Sequence, residues 1–208
     1  MTTWLITGGA GYIGAHVARA MAEAGERVVV FDDLSTGIPE RLPREIPLVE
    51  GSTLDRAALD AAITEHGVTG IVHLAAKKQV PESVAQPLFY YRENLQGLEV
   101  LLGASAAAGV QHFVFSSSAA VYGMPDVDLV TEDTPCVPIN PYGETKLAGE
   151  WLVRAVRRRR DDHLCVGGLA PPPRWSLTAG RSSAGAAARR GTGGRPWAGG
   201  AGAQSFNA

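Results

Sequence analysis

The stretch "NPYGETKLAGE" (140–150) places Tyr142 four residues before Lys146, in a run that reads as a helix over 142–157. On a helix, residues i and i+4 share one face. A free tyrosine ionises near pH ~10 and is a poor base at neutral pH. A nearby ammonium stabilises the phenolate and lowers that value, so the pair could carry a proton to and from an alcohol or sugar hydroxyl. The same spacing arises by chance on many ordinary helices, so its meaning depends on its surroundings. A second group suited to a hydroxyl or carbonyl is the serine cluster in "SSSAAVYG" (116–123), which follows an apolar run. Read alone, those serines are a polar loop closing a strand.

The third chemical feature is "TGGAGYIG" (7–14), in which Gly9-x-Gly11-x-x-Gly14 and Gly8-x-x-Gly11-x-x-Gly14 both fit dinucleotide-binding fingerprints. Such a turn needs residues without a Cβ, so that the backbone approaches a pyrophosphate and a helix N-terminus offers it free N–H groups. An acidic residue about 20 positions on is expected to bind ribose hydroxyls. Asp32 stands 18 residues after Gly14, at the end of the next apolar run. An acid at that place favours NAD over NADP, with Asp33, Ser35 and Thr36 beside it. The rival reading is a tight structural turn followed by a solvated aspartate.

The elements that would position these groups are legible. Apolar runs at 3–7, 27–31, 46–51, 70–76 and 112–118 read as strands, and helical patterns fall at 12–24, 55–66, 83–108 and 142–157. The 83–108 helix is expected to be interrupted near Gly97, and Asp55 is a plausible N-cap. Strands alternate with helices, and the strands are continuous apolar runs rather than alternating ones. Both signs predict an α/β fold, a Rossmann-like doubly wound parallel sheet covered on two faces. In such sheets ligands bind beyond the carboxyl ends of the strands, where both the glycine turn and the serine cluster would lie.

Bulk properties narrow the function classes. The chain has 208 residues, 45% hydrophobic, with a net charge of −2. That balance gives no electrostatic reason to expect nucleic acid or an anionic membrane as partner. Cys136 and Cys165 lack the spacing of a zinc site or disulfide framework, and no metal is expected. No apolar run is long enough for a bilayer and no signal peptide is read, so a cytoplasmic location is expected.

Together "TGGAGYIG", "FDDLSTG", "HLAAKKQVPESV", "YYRENLQG", "FSSSAAVYG" and "PYGETKLAGE" resemble the extended short-chain dehydrogenase/reductase family, in its nucleotide-sugar epimerase branch, from residue 3 to about 156. The resemblance implies NAD as cofactor, a UDP-sugar as substrate and often a homodimer through the long helices. It implies that Gly8, Gly11, Tyr12, Ile13 and Gly14 hold the pyrophosphate and that Asp32 binds the adenosine ribose, with Asp33, Ser35 and Thr36 adjacent. Ala75, Ala76 and Lys78 would line the cofactor, and Asn94 would stand near the active site. Ser118 would hydrogen-bond the reacting hydroxyl, Tyr142 would be the base, and Lys146 would bind the nicotinamide ribose. The implied reaction is epimerisation at C4 of a UDP-hexose by transient oxidation. A dehydratase of the same family would place an Asp-Glu pair after the post-strand hydroxyl residue, where this chain has Ala119 and Ala120.

The chain departs from the family pattern in three places. Gly51-Ser52 stands where relatives usually have Gly-Asp near the adenine, and Pro81 replaces a usual glycine. From Arg157 onward Ile, Met, Tyr, Lys and Glu are absent, and Gly, Ala, Arg, Pro and Ser dominate. That composition predicts disorder. The expected organisation is a NAD-binding domain over 1–157 and a disordered or out-of-frame tail over 158–208, with the substrate-binding subdomain largely missing and only "HLCVGGL" (163–169) mimicking a sixth strand. A catalytically inactive NAD-binding remnant is therefore a second functional reading. If the tail is frameshifted, reading the coding DNA in its two other frames restores a sixth strand and a substrate domain; if neither does, the frameshift reading fails.

Overall fold

The computed structural model describes residues 2–157 and 163–167. Its centre is a parallel sheet of β1 (Thr3–Thr7), β2 (Arg27–Asp32), β3 (Leu48–Glu50), β4 (Gly70–His73), β5 (His112–Ser116) and β6 (His163–Gly167) in the order β3-β2-β1-β4-β5-β6. Strand alternation divides the core between two faces. Leu5, Val29, Phe31, Ile71, Phe113 and Phe115 point to one side and pack on Leu59, Ile63, Leu98, Leu101 and Val153 of the helices there. Ile6, Val28, Val30 and Val72 point to the other and meet Ala18, Val17 and Met21 of the first helix. This is the doubly wound arrangement expected of continuous apolar strands, each residue buried whichever way it faces.

The helices are α1 (Tyr12–Glu23), α2 (Arg56–Glu65), α3 (Val80–Ala85), α4 (Pro87–Tyr90), α5 (Gly97–Ala107) and α6 (Pro141–Arg157). Asp55 caps α2, its side chain accepting from Ala58 N at 3.0 Å. Gly25, at φ 84°, ends α1 by letting Glu26 N reach back to Met21 O at 3.0 Å, and the chain then enters β2. The helix predicted over 83–108 is not one rod. Gln86 leaves the helical region (φ −134°, ψ 60°) because Pro87 follows it. From Pro87 the chain is helical to Ala107 but widens to a π turn over Tyr91–Gln96, just ahead of the interruption expected at Gly97. Strands 3, 4 and 5 are shorter than predicted, their ends set by where the paired registers stop. His73, for instance, is the last residue of β4 paired with either β1 or β5.

β6 falls within the run expected to mimic a sixth strand and pairs with β5 from His112↔His163 to Ser116↔Gly167. The expected tail, residues 158–208, otherwise lies outside the described residues. Among the described residues no helix is long and apolar enough to cross a membrane.

Two consequences of strand order position the site. β1 is central, and the direction of winding reverses between β1 and β4, which opens a crevice at their carboxyl ends. In that crevice α1 starts so close to the β1 turn that a Cβ on Gly14 would fall against the Gly8 carbonyl and within 2.6 Å of Gly9 Cα. Both obstacles are backbone, so neither can move aside. Gly14→Ala is expected to lower unfolding stability by roughly 1–3 kcal/mol, read from urea denaturation. A loss under half a kilocalorie would show that the turn is looser than described.

Candidate active site

The crevice holds a groove of about 940 Å³, its open mouth included. Gly8, Gly11, Tyr12, Ile13 and Gly14 form its floor, Asp32, Asp33, Ser35 and Thr36 one wall, and Ala75, Ala76 and Lys78 the other. All twelve were singled out from the sequence as cofactor-binding candidates. Gly8 adopts φ 71°, a left-handed turn that glycine reaches without strain, and a Cβ there would lie 2.6 Å from Ala75 N. Helix α1 has no side-chain cap at Gly11. Its first amides are left for a ligand, and an anion at that end is favoured by the helix dipole.

Asp32 is buried, and its carboxylate is already at work within the protein. One oxygen accepts from Ala10 N and the other from Leu34 N, each at 2.9 Å. It ties the glycine turn to the loop after β2 and still borders the groove, with lone pairs left for hydroxyl donors. Asp33 accepts from the amide and hydroxyl of Ser35 at 3.0 and 2.7 Å. Partial burial pushes the Asp33 carboxyl up, but the Ser35 bonds and the Lys77 ammonium outweigh it and hold the carboxyl below its ordinary value. At the adenine end of the sequence-based reading, Ser52 lines the groove and spends its hydroxyl on Leu54 N at 3.2 Å.

α6 carries Tyr142 and Lys146. Asn140 caps it, accepting from Gly143 N at 2.9 Å, and Pro141 opens the first turn. Tyr142 is half-buried in that turn. Lys146, 4% exposed, donates to Ser116 O at 2.9 Å and stands 5.1 Å from the Phe115 ring centroid. Burial lowers its pKa to about 8. Glu150, one turn further, accepts from the Ser117 hydroxyl at 2.5 Å. Gly143 lets the helix sit against the next residues of the same turn, since a Cβ there would be 2.6 Å from Ala120 O. Ser118 lies between these anchors and opens a short 3-10 turn (Ala119–Tyr122), its hydroxyl accepting from Ala120 N at 3.2 Å. Asn94 is buried in the π turn. It accepts from Lys77 N at 2.8 Å and donates to Lys77 O at 2.9 Å and to Thr145 Oγ1 at 3.1 Å. Ser116, the last residue of β5, lines the groove and is held by Lys146, so α6 and the glycine turn meet at the carboxyl end of one sheet.

The sequence model of the NAD dependent epimerase/dehydratase family matches residues 4–170. The chain belongs to that family. The match runs past the edge near 156 that the motifs alone suggested, and it takes in β6. Among curated relatives, the UDP-glucose 4-epimerase of Azospirillum brasilense is 49% identical over 150 residues, 72% of this chain and 43% of that one. That of Bacillus subtilis is 43% identical over 157 residues, 72% of this chain and 46% of that one. The chain spans about half the length of the curated relatives it matches. Among solved structures, the Brucella ovis UDP-glucose 4-epimerase in complex with NAD superposes with a TM-score of 0.77 at 37% identity, covering 81% of this chain and 51% of that one. The dTDP-glucose 4,6-dehydratase DesIV of Streptomyces venezuelae, with NAD and TYD bound, gives 0.74 at 30% identity, over 80% and 55%.

Within this epimerase/dehydratase fold, four polar residues escaped the sequence reading. Glu150 had a readable signal, since it continues the Tyr142–Lys146 spacing by one more turn on the same face. Ser117, Thr145 and Lys77 had none, because their partners are distant in sequence. His73 is buried with its Nδ1 2.6 Å from Thr7 Oγ1 and is pushed down to about 3 by burial and then by the Lys146 charge.

The lowered Lys146 value has a stability consequence. Between about 8 and 10.5 the unfolded chain holds a proton there that the folded chain has released. Stability therefore rises with pH across that window. Below it, the buried ammonium costs about 3 kcal/mol relative to a neutral amine. Lys146→Met is expected to be more stable than wild type at pH 7 in urea denaturation, with the gap closing as pH passes from 8 to 10.5. A pH-independent gap would show that Lys146 titrates normally.

Proposed function

We propose that this chain is the cofactor-binding part of a UDP-hexose 4-epimerase, acting on UDP-galactose and UDP-glucose with NAD as cofactor. The supporting observation is the grip of α6 on the end of β5 and the turn after it: Lys146 holds the carbonyl of Ser116, a residue that lines the glycine groove, and Glu150 holds Ser117. The groove fits a dinucleotide. The uncapped start of α1 suits a diphosphate, the Gly8–Gly14 approach leaves room for it, and Asp32 offers a carboxylate to ribose hydroxyls. When bound, the nicotinamide supplies reversible hydride transfer at the sugar's C4.

The residues of the chain do the remaining work. Tyr142 takes the proton of the 4-hydroxyl at its Oη and returns it after the sugar has presented its other face. Lys146 lies one turn below on the same face and stabilises the phenolate that accepts this proton and re-forms when the proton is returned. Ser118 holds the reacting oxygen, and Lys146 also binds the nicotinamide ribose. Ala75, Ala76 and Lys78 line the cofactor, and Asn94 holds the loop that carries them. A dehydratase needs a carboxyl pair beside Ser118, and Ala119 and Ala120 supply none. A homodimer belongs to the same reading. Val84, Leu88 and Trp151, on helices of the expected dimer face, are 62%, 83% and 58% exposed. Trp151→Glu should then shift the purified protein from dimer to monomer in sedimentation velocity.

The deciding assay is conversion of UDP-galactose to UDP-glucose by the purified chain. Turnover is expected, falling roughly 10²–10⁴-fold in Tyr142→Phe. NAD binding without turnover would instead favour the reading as a catalytically inactive NAD-binding remnant and overturn activity for this chain.

A further inference from the structure

Lys77 was not among the sequence candidates, yet it joins the two walls of the groove. Its ammonium donates to Ser35 Oγ at 2.7 Å and lies 3.7 Å from Asp33 Oδ2. Ser35 and Asp33 follow β2, and Lys77 follows β4. In the sheet these two strands flank β1, so the contact spans two strand spacings, roughly 10 Å, and crosses the end of the strand that carries the glycine turn. The lysine is not a loose surface group. Its own N–H and C=O are both clamped by the Asn94 amide at 2.8 and 2.9 Å, and Asn94 is in turn held to Thr145 on α6. The path from α6 to the far wall of the groove is therefore a continuous series of hydrogen bonds.

We propose that Lys77 is a cofactor-retaining strap, reaching over the end of β1 to Ser35 and Asp33 and closing the groove above the glycine turn. The proposal rests on the reading of the groove as a dinucleotide site. A diphosphate at the start of α1 would lie beneath this bridge. Its departure would then require the Lys77–Ser35 bond to open, and a cofactor used in both halves of an epimerisation benefits from slow release. The neighbouring Lys78 also lines the groove but is not part of this bridge, so the effect should be specific to Lys77.

The test is the dissociation rate of bound NADH, followed by stopped-flow loss of its fluorescence on mixing with excess NAD, in wild type, Lys77→Met, Ser35→Ala and the double variant. Each single change should speed release roughly three- to tenfold, the range expected for the net loss of one ordinary hydrogen bond. The double should be no faster than the faster single, because both remove the same bridge. Thermal unfolding of each variant checks that the fold is kept, and if Lys77→Met fails to fold, Ser35→Ala carries the test. Rates within twofold of wild type, or single effects that multiply in the double, would overturn the strap. Failure of wild type to bind NADH in an equilibrium titration would instead remove the dinucleotide reading, and the strap with it.

Discussion

A helix that turns a lysine, a glutamate and a threonine inward loses hydration on all three, and each must find a partner in the protein or destabilise it. In α6 each does. Lys146 meets the Ser116 carbonyl and the Phe115 ring, Glu150 meets the Ser117 hydroxyl, and Thr145 meets Asn94. These partners lie on the end of β5, the turn that follows it and the π turn, so the helix has one rotation and one height at which all are satisfied. Leu147 and Val153 supply apolar contacts on either side, and those alone would tolerate sliding. The polar face therefore sets register rather than adding much net stability, and the position of Tyr142 follows from it.

The glycine groove depends on a different constraint, the order of the strands. Because β1 lies between β2 and β4, the loops that follow all three converge at one end of the sheet. Asp32 shows how tightly that end is built. A residue expected mainly as a ribose ligand also fastens the glycine turn to its own loop through Ala10 and Leu34. Removing it would loosen the turn as well as a ligand contact. Asn94 joins the two constraints, since a single amide touches the β4 loop and α6. The π turn that carries it is a local departure from ideal helix of the kind often found at functional sites.

The family match and the site geometry reinforce each other without overlapping. The match runs over the sheet and its helices, while the polar ties describe how those elements are locked at the carboxyl edge. Against the relatives, the chain spans about half of their length. Its own described residues include the groove and the Tyr142–Lys146–Ser118 group.

Periodicity, turn chemistry and short-range spacing were enough to read the sheet, its two covered faces, the glycine turn with Asp32, the Asp55 cap and the Tyr142/Lys146 pair. All are local patterns, repeating every two or 3.6 residues or fixed by the conformational range of a glycine. The break at Gln86 was readable in principle from Pro87, and the π turn was not, because nothing in the residue types distinguishes it from an ordinary helix. Only the tertiary structure decided that Lys146 and Glu150 hold consecutive residues where β5 ends, that Asn94 spans two elements, and that Lys77 bridges the groove to Ser35. The Lys77 and Ser35 positions are 42 residues apart. Contacts at that separation depend on which strands end up side by side, and that choice is made by burial of the whole sheet rather than by any stretch of sequence.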